Sequence, residues 1–172
     1  MTTTAAEKSV TTQVYRVFIK ATAQAIWDAI TQPEWAKRYG YGCPVEYDLR
    51  PGGVYRSTAN EAMKAHGVPD EIIVGKVIEA DPPRKLVQTW HPIWDPASAA
   101  EAHTTLTFEI LEQPGGMCRL TVINDVTGAP LTAKMVAGDV ENAGGGWMWV
   151  LSDLKTLLET GRSMGAGAAP RD

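Results

Sequence analysis

Cysteine is scarce. The 172 residues contain two, Cys43 and Cys118, without metal-ligand spacing, which excludes a disulfide-stapled scaffold and a zinc ribbon. Two free thiols are the leading reading, with a Cys43–Cys118 bridge as the alternative. Also missing is any run of about 18 consecutive apolar residues, so no membrane-spanning helix is expected. No secretory-type apolar segment opens the chain, and the cytoplasm is the expected compartment. Basic runs are absent too: 16 Lys and Arg against 20 Asp and Glu leave a net charge of -4. Phosphate binding needs a concentrated basic face, so nucleic acid is not the expected partner. There is no H-E-x-x-H or H-x-x-x-H pattern, no G-x-S-x-G turn around Ser152, and no G-x-G-x-x-G spacing in Gly144-Gly145-Gly146. No metal and no cofactor is therefore expected, and the glycine run reads as a hinge. No internal repeat is visible.

What is present organises around one C-terminal stretch. Trp147, Val150, Leu151, Leu154 and Leu158 recur at i, i+3, i+4, i+7 and i+11. That is one apolar stripe on a helix bounded by glycines at 144–146 and by Gly161, a natural left-handed stop. Lys155 and Glu159 lie off the stripe. A helix of this kind needs a wide apolar surface to lie on, at about 1.5–3 kcal/mol per large side chain buried.

The chain ahead of it supplies that surface. Val14–Lys20 reads as a strand with Tyr15, Val17 and Ile19 on one face. Thr22 can cap a helix carrying Ile26, Trp27 and Ile30. Thr31-Gln32-Pro33-Glu34 has the form of a capping box with proline in the first turn, predicting a second short helix on which Trp35 and Tyr39 point the same way. Six strands follow, over 45–49, 54–59, 72–80, 85–91, 104–112 and 117–126, divided by turns such as Arg50-Pro51-Gly52-Gly53 and Asp81-Pro82-Pro83. A longer loop covers 92–102. Leu106, Phe108 and Ile110 alternate with Thr105, Thr107 and Glu109, and Leu120 and Val122 with Arg119 and Thr121, so one sheet face is dry. Between Ile72 and Ala80 both parities are apolar and the facing is not readable. Residues 131–136 are weakly helical. Residues 1–12 and 162–172 read as flexible tails around one domain spanning 13–161. The fold class is α+β: a curved antiparallel sheet of about seven strands wrapped around a long C-terminal helix, with two short helices after the first strand.

Four fragments in this order carry a family resemblance: Ala21-Thr22-Ala23-Gln24-Ala25-Ile26-Trp27; Arg50-Pro51-Gly52-Gly53-Val54-Tyr55-Arg56; the run from Gly75 to Trp90; and Gly146-Trp147 leading into Leu151-Ser152-Asp153-Leu154. The chain resembles the START-like superfamily (SRPBCC, the helix-grip fold). Within it the resemblance is to the branch of homologues of the activator of the heat-shock-protein ATPase, over about residues 14–161. Where this family often has proline, Ala23 stands, which touches a helix start and no chemistry. The resemblance implies a cavity between sheet and long helix that takes apolar or aromatic small molecules. It does not imply one reaction, because the superfamily holds carriers, receptors, cyclases and chaperone cofactors.

The candidate ligand-binding residues are Trp35, Tyr39, Tyr55, Trp90, Trp94 and Trp147, aromatic side chains able to wall a pocket and orient a ligand. Leu151 of the stripe joins them, as do His91 and His103. Trp147, behind three glycines, is expected to form a movable wall. The two histidines end and begin consecutive strands, so antiparallel pairing can bring them together. With Asp95 and Glu101 in the intervening loop they could act as an acid–base pair or a metal site. Cys118 shares parity with Leu120 and Val122 and reads as buried and inert. Binding of a small hydrophobic or aromatic molecule is the preferred reading. The alternatives are an enzyme of the polyketide cyclase/dehydratase type, using His91, His103 or Tyr55, and a chaperone-associated interaction protein. A homodimer is left open.

Overall fold

The computed structural model describes residues 11–167. Within them a seven-stranded antiparallel sheet runs in the order β1-β7-β6-β5-β4-β3-β2, with β1 at Thr12–Ile19, β2 at Val45–Tyr47, β3 at Val54–Thr58, β4 at Glu71–Asp81, β5 at Lys85–Pro92, β6 at Thr104–Gln113 and β7 at Met117–Asp125. The first two strands thus sit on opposite edges. The chain crosses between them through α1 (Ala23–Thr31) and α2 (Pro33–Ala36). Shorter helices occupy Glu61–Ala65 (α3), Pro96–Ala99 (α4) and Pro130–Val136 (α5), and the long helix α6 spans Gly146–Thr160. The sheet curves around α6, the helix-grip arrangement that the resemblance implies.

Alternation in the strands decides which face is concave. Leu106, Phe108 and Ile110 on β6 and Cys118, Leu120 and Val122 on β7 are buried together, while Glu109 and Leu111 are exposed. The unreadable strand β4 is explained by its ladder. Its register against β3 shifts between Ser57 and Thr58, opposite Ile72, so Ile72 and Val77 are both buried despite opposite parity; a second shift, against β5, follows between Val77 and Glu79, and Ile78 is 49% exposed. Both cysteines are free thiols. Among the described residues no helix is long and apolar enough to cross a membrane.

Helix starts follow local chemistry. Thr22 caps α1, its Oγ1 accepting from the Ala25 N–H at 3.1 Å, and Ile26, Trp27 and Ile30 are buried as the periodicity requires. The capping box over Thr31–Glu34 is not formed. Thr31 is the last residue of α1 and its hydroxyl donates back to the Trp27 carbonyl at 2.8 Å, so the extended cap position falls on Gln32 instead. The stretch read as a plain loop after β5 contains α4, capped by Asp95, and the segment after β3 contains α3, capped by Asn60.

The stripe on α6 is wider than the apolar residues alone suggest. Leu151, Leu154 and Leu157 are buried, and so is Asp153, at 1% exposure. Its carboxylate accepts from the Gly40 N–H at 2.8 Å, the Met164 N–H at 2.6 Å and the Ser163 hydroxyl at 3.1 Å. One buried charge therefore ties α6 both to the segment after α2 and to the residues beyond Gly161, which form a 3-10 turn at Met164–Gly167. The expected N-terminal tail lies mostly outside the described residues, although Thr12 already begins β1, and residues 168–172 lie outside them as well. At the other side of the helix, Lys155 donates to the Phe18 carbonyl and Glu159 accepts from the Lys20 N–H, occupying the free edge of β1.

Replacing Asp153 by alanine removes the acceptor for three donors. We expect a loss of about 2–3 kcal/mol in urea unfolding, with Asp153→Asn less harmful because one carbonyl acceptor survives.

Candidate functional site: an aromatic cavity under the long helix

A cavity of about 600 Å³ lies between the concave face of the sheet and helices α5 and α6, within the size range of small-molecule sites. The sheet contributes Tyr47, Tyr55, Trp90, Leu106 and Phe108 to its wall. Met135 and Val136 of α5 face these, and α6 adds Trp147, Val150, Leu151 and Leu154. The strands place these rings by simple alternation, since each stands on the parity that faces inward. Tyr47 and Tyr55 pack at 4.7 Å between ring centroids, Trp90 lies 6.2 Å from Trp147, and Phe108 meets Trp147 edge-on at 5.9 Å.

Trp147 is anchored as well as packed. Its indole N–H donates to Asn124 Oδ1 at 3.3 Å, and the Asn124 amide donates in turn to Thr104 Oγ1 at 3.3 Å and the Thr105 carbonyl at 3.2 Å. Thr104 donates to the Trp90 carbonyl at 2.6 Å. Asn124 is fully buried, so this chain satisfies a polar group that would otherwise be costly at the cavity floor. The glycines ahead of α6 are held too: the Gly146 N–H donates to the Tyr41 hydroxyl at 3.2 Å. Gly146 itself has φ +63, and a Cβ there would overlap the Val136 carbonyl, so the close approach of α5 and α6 requires glycine.

The electrostatics of the interior are neutral. Burial pushes the phenols of Tyr39, Tyr47 and Tyr55 above their ordinary values, and it also raises the Cys43 thiol. These groups stay protonated at neutral pH. The charged residues on the lining are Asp95 and Lys134, neither of them buried. Asp95 is engaged at the start of α4, accepting from the Ala97 and Ser98 N–H groups and the Ser98 hydroxyl. Those bonds from Ser98, helped by Ala97 and the Trp94 indole, hold its carboxyl below the usual range.

Of the residues named from sequence, Tyr39, Tyr55, Trp90, Trp94, Trp147 and Leu151 line the cavity. Trp35, His91 and His103 are not on the lining. α2 ends at Ala36, so Trp35 and Tyr39 do not share one helical face. Trp35 instead lies under the Arg38 guanidinium, 4.5 Å from the ring centroid, while Tyr39 donates to the Ala29 carbonyl at 2.9 Å. The strand pairing does bring the histidines together, stacked at 4.0 Å with an interplanar angle of 8°. His91, however, follows the inward-facing Trp90 and has the opposite parity; its Nε2 lies 3.2 Å from the Ala99 carbonyl. Glu101, their suggested acidic partner, caps α5 by accepting from the Leu131 and Thr132 N–H groups. Among the described residues no group of three His, Cys, Asp or Glu side chains is placed to hold a metal.

Tyr47, Phe108 and Asn124 belong to the site and were not singled out from the sequence. The signal existed for all three. Phe108 is on the dry parity of β6, Tyr47 shares a face with Val45, and Asn124 continues the inward parity of Leu120 and Val122, where a polar residue is out of place unless it is bonded.

The sequence profile of the family described as Activator of Hsp90 ATPase homolog 1-like protein matches residues 20–159. No protein of curated function matches in sequence. Solved structures with similar folds include a Mesorhizobium loti protein at 18% identity, covering 86% of this chain and 96% of that one with TM-score 0.64. A Rhodobacter sphaeroides protein at 23% identity covers 88% and 94% with TM-score 0.62. An HSP90 activator from Plasmodium falciparum at 16% identity covers 87% and 96% with TM-score 0.60. At these identities the likeness is one of fold.

The histidine stack has a pH signature. Burial first, and the neighbouring His103 second, lower the His91 pKa from its ordinary value. As pH falls through about 6.5 the unfolded chain therefore takes up a proton that the folded one resists. Stability from neutral His91 is complete above that pH and lost below it. Tm measured from about pH 8 to 5 should fall across this window, and His103→Ala should move the His91 titration, followed by imidazole NMR, upward.

Proposed function

The chain belongs to the Activator of Hsp90 ATPase homolog 1-like family, and on that premise we propose that it binds a small hydrophobic or aromatic molecule between the sheet and α6. The observation that carries this reading is the 600 Å³ cavity, walled by aromatic rings and empty of buried charge. A filled core would instead have closed the space beneath Trp147 and Tyr55, since an apolar void forfeits packing contacts on every side. An apolar guest restores those contacts and is removed from water at about 25 cal/mol per Å². A cytoplasmic setting goes with this proposal, as does a ligand that is uncharged over its buried part.

Of the three groups suggested for cyclase or dehydratase chemistry, Tyr55 alone lines the cavity, and a phenol raised by burial serves as an acid and not as a base at neutral pH. The similar fold of an HSP90 activator supports a second reading, a chaperone-associated surface. Its support here is the outward face of α6, where Met148 is 59% and Trp149 39% exposed.

Titration with N-phenyl-1-naphthylamine, an uncharged apolar fluorophore, tests the proposal. We expect saturable binding at one site with a change in Trp emission, weakened about tenfold or about 1.4 kcal/mol by Trp147→Ala. A folded protein that takes up none of the probe would end the small-molecule reading and leave the surface one.

A further inference from the structure

The cavity wall carries several N–H and O–H donors, and their partners differ in a way that points to the ligand. Tyr39 donates to the Ala29 carbonyl, Tyr47 to Gln88 Oε1 at 2.7 Å, and Trp147 to Asn124. The Trp94 indole serves Asp95. One buried donor on the lining, the Tyr55 hydroxyl, remains without such an acceptor among the described residues, while the Trp90 indole N–H has the Tyr55 oxygen as its neighbour.

They are neighbours by construction. Tyr55 on β3 is paired with Gly75 on β4, and the adjacent pair Val74–His91 sets Trp90 on β5 at the same level. The row across the three strands therefore reads Tyr55, Gly75, Trp90, with no side chain in the middle. A Cβ at Gly75 would overlap the Thr89 carbonyl, so the gap cannot be filled without moving the strand. The Trp90 indole N–H is close enough to the Tyr55 oxygen to draw its pKa partly back down against the effect of burial. The indole thus engages the Tyr55 oxygen and leaves the Tyr55 O–H as the donor turned to the cavity.

We propose that the Tyr55 hydroxyl, held from behind by the Trp90 indole, is a subsite for an acceptor oxygen, and that the ligand is an uncharged aromatic or polycyclic molecule carrying a carbonyl group. This deepens the small-molecule reading and rests on it. A carbonyl oxygen can accept from the Tyr55 O–H, and the indole N–H on the phenol oxygen polarises that donor. A carboxylate is a poor fit, because an ion buried here would lack a cation: Lys134, on α5, is exposed. Tyr55 and Trp90 both sit on strands and keep fixed positions, so the oxygen would orient the ligand while the rings of Tyr47, Phe108 and Trp147 hold its apolar body.

The test uses 9-fluorenone and fluorene, which share a ring skeleton and differ in the carbonyl group. Their affinities for the full chain are measured by Trp quenching in the wild type and in Tyr55→Phe, which keeps the ring and removes the hydroxyl. The fluorenone-to-fluorene affinity ratio should fall about two- to tenfold in the variant, the size of one neutral hydrogen bond, while fluorene binding stays within about twofold. Infrared difference spectra provide a readout on the wild type alone: the carbonyl stretch of bound fluorenone should move to lower frequency than in an apolar solvent, and partly return in Tyr55→Phe. An unshifted stretch, or a ratio that Tyr55→Phe leaves unchanged while both probes still bind, overturns the subsite and spares the cavity reading. Failure of both probes to bind the wild type removes both.

Discussion

The closure of α6 on the concave face of the sheet is the constraint from which the other features follow. The helix spans fifteen residues and the sheet curves around it. The C-terminal half is in contact: Leu154 and Leu157 are buried, and the Lys155–Glu159 pair reaches the edge of β1. Towards the N-terminus Trp147, Val150 and Leu151 line the cavity between helix and sheet. The buried Asp153 sits where packed core passes into cavity wall, and its three accepted hydrogen bonds fix the helix relative to two other segments of chain. Charge buried with full hydrogen bonding specifies one arrangement more sharply than apolar contact alone, because apolar contact tolerates sliding.

The same closure sorts polar groups by location. Inside, donors are neutral and most are paired with a carbonyl, an amide or each other. Apart from the fully bonded Asp153, the acidic groups and histidines near the cavity stay off its interior: Asp95 and Glu101 cap short helices and the two histidines stack away from the lining. The division follows from the desolvation cost of a charge in an apolar space, which exceeds what one hydrogen bond returns. It makes the interior suited to holding a neutral molecule.

Much of this was legible from the residues. Strict alternation in β6 and β7 marked the dry face, Thr22 marked the start of α1, and the stripe from Trp147 to Leu158 marked the helix that covers the sheet. Where local pattern failed, a competing bond or a register shift was responsible. Thr31 has the sequence of a cap, yet its hydroxyl is used four residues back, within the helix it ends. β4 is apolar on both parities because its pairing shifts twice, against β3 opposite Ile72 and against β5 after Val77, exchanging its faces along the strand. Trp35 and Tyr39 have helical spacing, but α2 stops between them. The two histidines were placed together correctly by strand pairing, yet pairing alone does not say which side of the sheet they occupy relative to a ligand.

The sequence by itself determined the order of elements, the dry face, the covering helix and the aromatic character of the pocket, because period-two and period-3.6 patterns are local properties that a chain carries wherever it folds. Tertiary structure alone decided which aromatics face the cavity, which hydroxyls and indoles already have partners, and that Gly75 leaves Tyr55 and Trp90 side by side across three strands. The last of these joins residues 15 to 35 positions apart, and all of them are set by register, strand curvature and the fit of one helix, which no local pattern encodes.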